Sequence, residues 1–265
     1  MVDKLTSLLF VCLVLTNCSN HKALRINTEV IKVDSLEQIV LVTDPVKPLL
    51  YTNISGLEKL PVREAKAKFI SAVLPSILVA KHIIGQQQKV MEHLRDKEKW
   101  ETYDSILYLD TKARYKAKDL KDLLTRMVTL PNSIVLAQAA VESGWGKSRI
   151  FLKANNLFGV WSYNSNEPRI AALKRRENKR TYLRSYADMS QSVVHYFEIL
   201  ARSRSYRSLR EAQSQTKDPF ELLPHLKNYS ERRRAYTNQL KKLIVRNNLT
   251  RYDPYQIDPQ FITED

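Results

Sequence analysis

"LAQAAVESGWGKS", residues 136–148, surrounds one glutamine, Gln138, with small and apolar residues and then sets a single carboxylate, Glu142, ahead of Ser143-Gly144-Trp145-Gly146. Just upstream, Pro131-Asn132-Ser133 has the composition of a helix start. From Ile134 to Val141 every side of a helical wheel is apolar apart from Gln138. A helix without a polar face is one enclosed by protein. Gly144 and Gly146 stop it, so the spacing predicts a core helix that presents one acid at its end.

The residues at i−7, i−4 and i−3 from Glu142 are Val135, Gln138 and Ala139, so its stem leaves an apolar stripe. Desolvation beside apolar surface favours the neutral carboxyl and raises its pKa, which is what a general acid needs to protonate a glycosidic oxygen. Trp145, between two glycines that let the backbone turn sharply, offers a flat face of the kind sugars stack on. The same residues also suit a structural reading: a helix-terminal glutamate, a glycine cap and a core tryptophan. Spacing alone leaves both open.

The chain as a whole narrows the choice. With 43% hydrophobic residues among 265, it can bury one large core or two small ones, and five glycines lean the balance towards helices over a sandwich or barrel. We expect a mainly α (α+β) fold. The 43 Lys and Arg exceed the 28 Asp and Glu by a formal +15, an excess heaviest after residue 110, which suits an anionic partner. Nucleic acid, anionic lipid and an anionic cell-wall polymer all meet that description, and so does a basic surface that only confers solubility.

The start of the chain, "MVDKLTSLLFVCLVLTNCSN", has Lys4, an apolar run from Leu5 to Leu15, then small and polar residues, the layout of a secretory signal. That run is too short to span a bilayer as a helix, which takes about 20 residues. Leu15-Thr16-Asn17-Cys18 resembles a bacterial lipoprotein processing box, with Cys18 as the lipid-bearing residue of an envelope protein anchored to the membrane, although Asn17 stands where a small residue is usual. Ordinary secretory cleavage nearby is the alternative. Cys12 and Cys18 are the only cysteines, so processing before Cys18 leaves no thiol pair to oxidise. Export also argues against nucleic acid as the partner.

Residues 19–60 mix short β-branched runs with Asp-Pro and Lys-Pro breaks and read as a tether with a short strand or two. From Pro61 the pattern turns helical, with Phe69, Val73, Ile77 and Ala80 at spacings of three and four, and Pro75 is expected to kink or split the helix. Residues 112–127 read as one amphipathic helix with Leu120, Leu123, Leu124 and Met127 on a stripe. Residues 155–185 lack helical periodicity and suit a hairpin or small β-lobe; helices return after it, and 251–265 reads as a loose tail. His195 and His225 have no second ligand at a metal spacing, so no metal or other cofactor is expected.

"LAQAAVESGWGKSRI" followed by "NNLFGVW" resembles the signature of the glucosaminidase domain of glycoside hydrolase family 73, within it the Bax-like branch. The likeness continues through "YLRSYADMSQSVVHYFEILARSRSYRSLR" and "YSERRRAYTNQLKKLI", with "AKAKFISAVLPSI" similar to the helical lead-in, and covers residues 61–250. Several blocks in the right order are far more specific than one motif.

The resemblance implies a lysozyme-like helical domain with a small β-hairpin lobe flanking a substrate groove. It implies hydrolysis of the β-1,4 bond after N-acetylglucosamine in peptidoglycan glycan strands. Glu142 corresponds to the family's catalytic acid. A second carboxylate, activating water or steadying an oxocarbenium-like transition state, is expected from the β-lobe. Glu167 and Glu177 are the candidates, and Glu177, 35 residues beyond Glu142, suits the family spacing better. Tyr229 of "NYSERRRAY" matches a tyrosine beside the reacting sugar, as the first residue of a "YATDPxYA"-like block whose "TDP" is "ERR" here; a buried structural tyrosine is the other reading. Asn155, Asn156 and Phe158 of "NNLFG" match the groove floor, and Trp145 and Trp161 are candidate sugar platforms. The rivals are a lytic transglycosylase or muramidase of the same fold and a non-catalytic wall-binding module. The Gly-Leu-Met-Gln stretch usual after the transglycosylase glutamate is absent from this chain.

Overall fold

The computed structural model describes residues 24–173 and 180–264; Cys18 and Glu177 lie outside them. In chain order, β1 (Leu24–Ile26), β2 (Glu29–Lys32) and β3 (Leu49–Thr52) precede α1 (Val62–Asp96). Next come α2 (Thr102–Tyr115), α3 (Leu120–Arg126), α4 (Asn132–Ser143) and α5 (Arg149–Ala154). The strands β4 (Trp161–Ser162), β5 (Arg169–Ala171) and β6 (Tyr182–Arg184) lead into α6 (Met189–Arg202), α7 (Arg207–Gln213), α8 (Pro219–Leu222) and α9 (Arg234–Arg246), with β7 (Ile262–Glu264) last. The fold is mainly α with small sheets, as the composition predicted.

Helix α1 is the axis of the core and packs against α3, α4 and α6. Its most apolar 18-residue window has the length and hydropathy to cross a bilayer, yet 72% of that window is buried inside the fold. Pro75, expected to kink or split the helix, does not split it. Every residue from Phe69 to Ala80 is buried, and this enclosure keeps the helix continuous through the position that lacks an N–H. The single helix expected over 112–127 is instead two. Lys116 takes a left-handed conformation, φ 50°, and ends α2, after which the Asp119 carboxylate accepts from Asp122 N–H at 2.8 Å and starts α3.

The expected tether is folded onto the core. β2 and β3 pair in parallel, with Glu29 opposite Leu49, and Val33, Ile39, Tyr51 and Leu57 are buried. α1 supplies the anchors: Ser71 Oγ accepts from Val42 N–H at 3.0 Å, and Lys68 Nζ donates to the Ile39 carbonyl at 2.8 Å. The tail is not loose either. β7 pairs antiparallel with β1, and Tyr252 and Ile257 are buried. Asp253 accepts from the Ser133 N–H at 2.7 Å and from its hydroxyl at 2.8 Å, while Asn132 Nδ2 donates to the Tyr252 carbonyl at 2.8 Å. The first of these satisfies an orphan backbone donor at the start of α4, and together they fix the end opposite Glu142.

Candidate active site

The sequence predicts that α4 is enclosed, and it is: every residue from Asn132 to Ala140 is buried. Its C-terminal turn is built in detail. Gly144 adopts φ 60°, and the Trp145 N–H donates to the Ala140 carbonyl at 2.8 Å, closing the helix in a left-handed cap. Ser143 Oγ donates to the Ala139 carbonyl at 2.6 Å and accepts from Gly146 N–H at 2.9 Å, stapling the turn. Trp145 itself has φ 59°, a strained backbone for a bulky residue. It is held there by an edge contact with Phe69, centroids 5.5 Å apart, and by Lys66, whose Nζ lies 4.9 Å from the ring centroid.

Glu142 leaves this turn half-buried. Burial pushes its carboxyl above the ordinary carboxylate range, and the Tyr236 hydrogen bond and the Arg232 guanidinium oppose the shift without cancelling it. Tyr236 Oη donates to Glu142 Oε1 at 2.9 Å. The same hydroxyl accepts from Gln138 Nε2 at 3.1 Å, and Gln138 Oε1 accepts from Tyr196 Oη at 2.5 Å. The three bonds run in one direction. Because Tyr196 and the Gln138 amide occupy the acceptor sides, the single Tyr236 proton is left for Glu142. With Oε1 occupied as an acceptor, the acidic proton of a neutral Glu142 belongs on Oε2.

An aromatic column backs this network. Phe158 stacks on Tyr196 at 4.2 Å, Tyr196 meets Tyr229 edge-on at 6.2 Å, and Tyr229 stacks on Tyr236 at 5.6 Å. Tyr229 is thereby placed beside the acid: its pKa is raised first by burial and then by neighbouring groups that include Glu142. Its hydroxyl has no hydrogen-bond partner among the described residues. Phe158, 6% exposed, packs in the column and offers no groove surface.

The two asparagines both make hydrogen bonds that hold the backbone here. Asn155, at φ 49°, caps α5 and donates from Nδ2 to the Tyr186 and Ala187 carbonyls, each at 3.0 Å. Asn156 is 1% exposed; it donates to the Val160 and Arg184 carbonyls at 3.0 and 2.9 Å and accepts from Val160 N–H at 3.0 Å. The Asn156 amide is spent tying the end of α5 to the β-lobe, and Asn155 Nδ2 ties it to the turn after β6. That lobe is a three-stranded antiparallel sheet in the order β4-β6-β5, with Leu183 opposite Trp161 on one side and Ile170 on the other. Trp161 stands exposed on its edge strand.

Glu167 is committed to Arg184, 3.3 Å away. Beyond that pair lies His195, whose Nε2 accepts from Arg202 at 2.7 Å, much closer than the 3.4 Å approach of Arg184 Nη1 to Nδ1; the closer donor takes the ring's one acceptor, so the proton goes on Nδ1, which faces Tyr186 Oη at 2.8 Å. Burial and the two arginines push this imidazole down to about 4, which keeps it neutral. Among the described residues no group of three His, Cys, Asp or Glu is placed to hold a metal ion.

Sequence reasoning passed over Tyr236, Gln138 and Tyr196. Tyr236, Leu240 and Ile244 recur every four residues and read as the buried stripe of α9, which they are. The available signal was the second tyrosine at the end of "YSERRRAY", and a lone glutamine in an otherwise apolar helix, which needs buried partners.

The glucosaminidase family, described as mannosyl-glycoprotein endo-beta-N-acetylglucosaminidase, matches residues 117–249, half of the chain. The chain is 26% identical to Protein bax of Escherichia coli K12 over 207 residues, 71% of this chain and 72% of that one. It is 28% identical to the peptidoglycan hydrolase FlgJ of the same strain over 144 residues, 50% of this chain and just under half, 46%, of FlgJ. Among solved structures, the catalytic domain of the autolysin Auto from Listeria monocytogenes matches at 21% identity with a TM-score of 0.40, over 63% of this chain and 97% of that domain.

Proposed function

Since the chain belongs to the glucosaminidase family, we propose that it is a peptidoglycan hydrolase that cleaves the β-1,4 bond after N-acetylglucosamine, with Glu142 as the general acid. The observation that carries this reading is the half-buried Glu142 carboxyl, biased towards its neutral form by burial and held at Oε1 by Tyr236. An acid whose proton is directed to Oε2 is ready to protonate a leaving glycosidic oxygen as the C–O bond breaks. Tyr229 brings an uncommitted hydroxyl to the same place, suited to the N-acetyl group or the attacking water. The exposed Trp161 face on the β-lobe suits a sugar ring, and Trp145, between Phe69 and Lys66, suits the wall of the groove near the acid.

For the partner carboxylate we propose Glu177, on the spacing of the family. Glu167, the other candidate, already neutralises Arg184 and would have to break that pair to serve a substrate. The protein acts in the bacterial envelope, tethered by lipid on Cys18; loss of metabolic labelling with a fatty acid in Cys18→Ser, and only then, tests this attachment.

Glu142→Gln keeps size and hydrogen bonding and removes the proton donor, so clearing of cell walls in a zymogram should disappear. Mass spectrometry of the digest should show reducing N-acetylglucosamine ends. Anhydromuramyl ends would instead make the enzyme a lytic transglycosylase, and clearing by Glu142→Gln would leave a wall-binding module with no chemistry at this residue.

A further inference from the structure

The segment Tyr229–Arg234 carries "YSERRR" at the mouth of the site, where the chain departs from the "TDP" of the family block. Arg233 takes φ 50° and directs its guanidinium back to Asn228 Oδ1. Arg232 points the other way. Its guanidinium lies 5.8 Å from the centroid of the Tyr236 ring, whose hydroxyl holds Glu142, and Nη2 donates to Gln239 Oε1 at 2.6 Å. No carboxylate lies within ion-pair distance of Arg232 among the described residues, and the remaining donors of its fork are uncommitted there. The side chain is exposed.

This placement works against the chemistry proposed for the site. A cation near Glu142 favours the carboxylate over the protonated acid. Its presence is accounted for if it meets something anionic on the substrate, because a guanidinium is a planar fork matched to a carboxylate. Resting on the peptidoglycan-hydrolase reading, we propose that Arg232 is a specificity-determining residue that selects glycan strands bearing carboxylates beside the scissile bond. The carboxylate has two sources on such a polymer: the stem peptides, or the lactyl group left when those peptides are removed.

The test uses the processed chain and the Arg232→Gln variant, each at its own pH optimum so that any shift in the Glu142 titration is removed from the comparison. Three substrates are compared: intact strands, the same strands with every carboxylate capped as a methylamide, and strands stripped of their peptides. Arg232→Gln should lower kcat/KM on intact strands about fivefold, through KM, the size expected of one exposed charge pair, and change capped strands by less than about twofold. A loss on intact strands that is absent from stripped ones assigns the contact to the stem-peptide carboxylates; a loss confined to stripped strands, where alone the lactyl carboxyl is free, assigns it to the lactyl group. Equal losses on intact and capped strands, or no loss on any, overturn the proposal. If the unmutated protein cleaves none of the three, the hydrolase reading itself falls; if it cleaves all three with no dependence on Arg232, only the selectivity does.

Discussion

Replacing Gly146 with alanine should destabilise the protein more than the same change at Gly144, although both glycines end the same helix. Each has a positive φ, 80° at Gly146 and 60° at Gly144, and an alanine in the left-handed region costs about 1–2 kcal/mol at either. The surroundings then separate them. A Cβ on Gly144 meets nothing within 4 Å. A Cβ on Gly146 meets Leu57 Cδ1 at 2.8 Å, Phe69 Cδ2 at 3.0 Å and Phe151 Cε1 at 3.1 Å. All three side chains are buried, at 1%, 0% and 3% exposure, so none can swing into solvent. Forcing a methyl among them adds about 1–3 kcal/mol of overpacking, giving about 2–5 kcal/mol in all. Urea unfolding of both variants measures the difference, read as the shift in midpoint at constant slope. Losses that agree within about 0.5 kcal/mol would refute the packing argument, since only the shared backbone cost would then remain. Phe69 also supports Trp145, so Gly146→Ala should disturb the tryptophan fluorescence of the folded protein while Gly144→Ala should not.

Two further outcomes follow from the site. The folded-state pKa of Glu142 is raised, so its acid form persists above the ordinary carboxylate range and activity declines as pH climbs through that raised value. Tyr236→Phe removes the hydrogen bond that opposes the shift, so the alkaline limb of kcat/KM should move to higher pH while kcat drops about tenfold from lost positioning; a limb that stays or moves down contradicts the assignment. His195, held at about 4 where the free residue titrates at 6.5, lends stability that is complete above pH 6.5 and is lost as pH falls from there through 4. Its ring resonances should show a neutral Nδ1–H tautomer at pH 5.5, and a midpoint near 6.5 would show that the imidazole is not enclosed between Arg184 and Arg202.

The helical character of the chain and the enclosure of α4 were legible in its residues, because a helix apolar on every side has only one comfortable environment. Glu142 was legible as one acid at the end of that helix, because its apolar mates at i−7 and i−3 travel with it in the sequence; spacing alone left a structural role open, and only the resemblance of the surrounding blocks pointed to a proton donor. The segments 24–60 and 251–264 were misread because their apolar residues follow no period. Val33, Ile39, Tyr51, Tyr252 and Ile257 are buried by partners supplied from α1 and α4, far away along the chain.

The environment of the acid was decided by the tertiary structure alone. Ninety-four positions separate Tyr236 from Glu142 and 58 separate Tyr196 from Gln138, and no local rule relates residues at such distances. Asn155 and Asn156 illustrate the converse. Their place in "NNLFG" pointed to the groove, yet folding brings the Val160 and Arg184 carbonyls onto the Asn156 amide, and that buried amide with its hydrogen bonds made holds the lobe in place, while Asn155 Nδ2 is drawn to the Tyr186 and Ala187 carbonyls. The sequence by itself determined that one acid would stand at the end of a core helix. Only the packing of α9 and α6 against α4 decided how its proton is held, because the direction of a hydrogen-bond chain depends on which donors and acceptors the fold brings together.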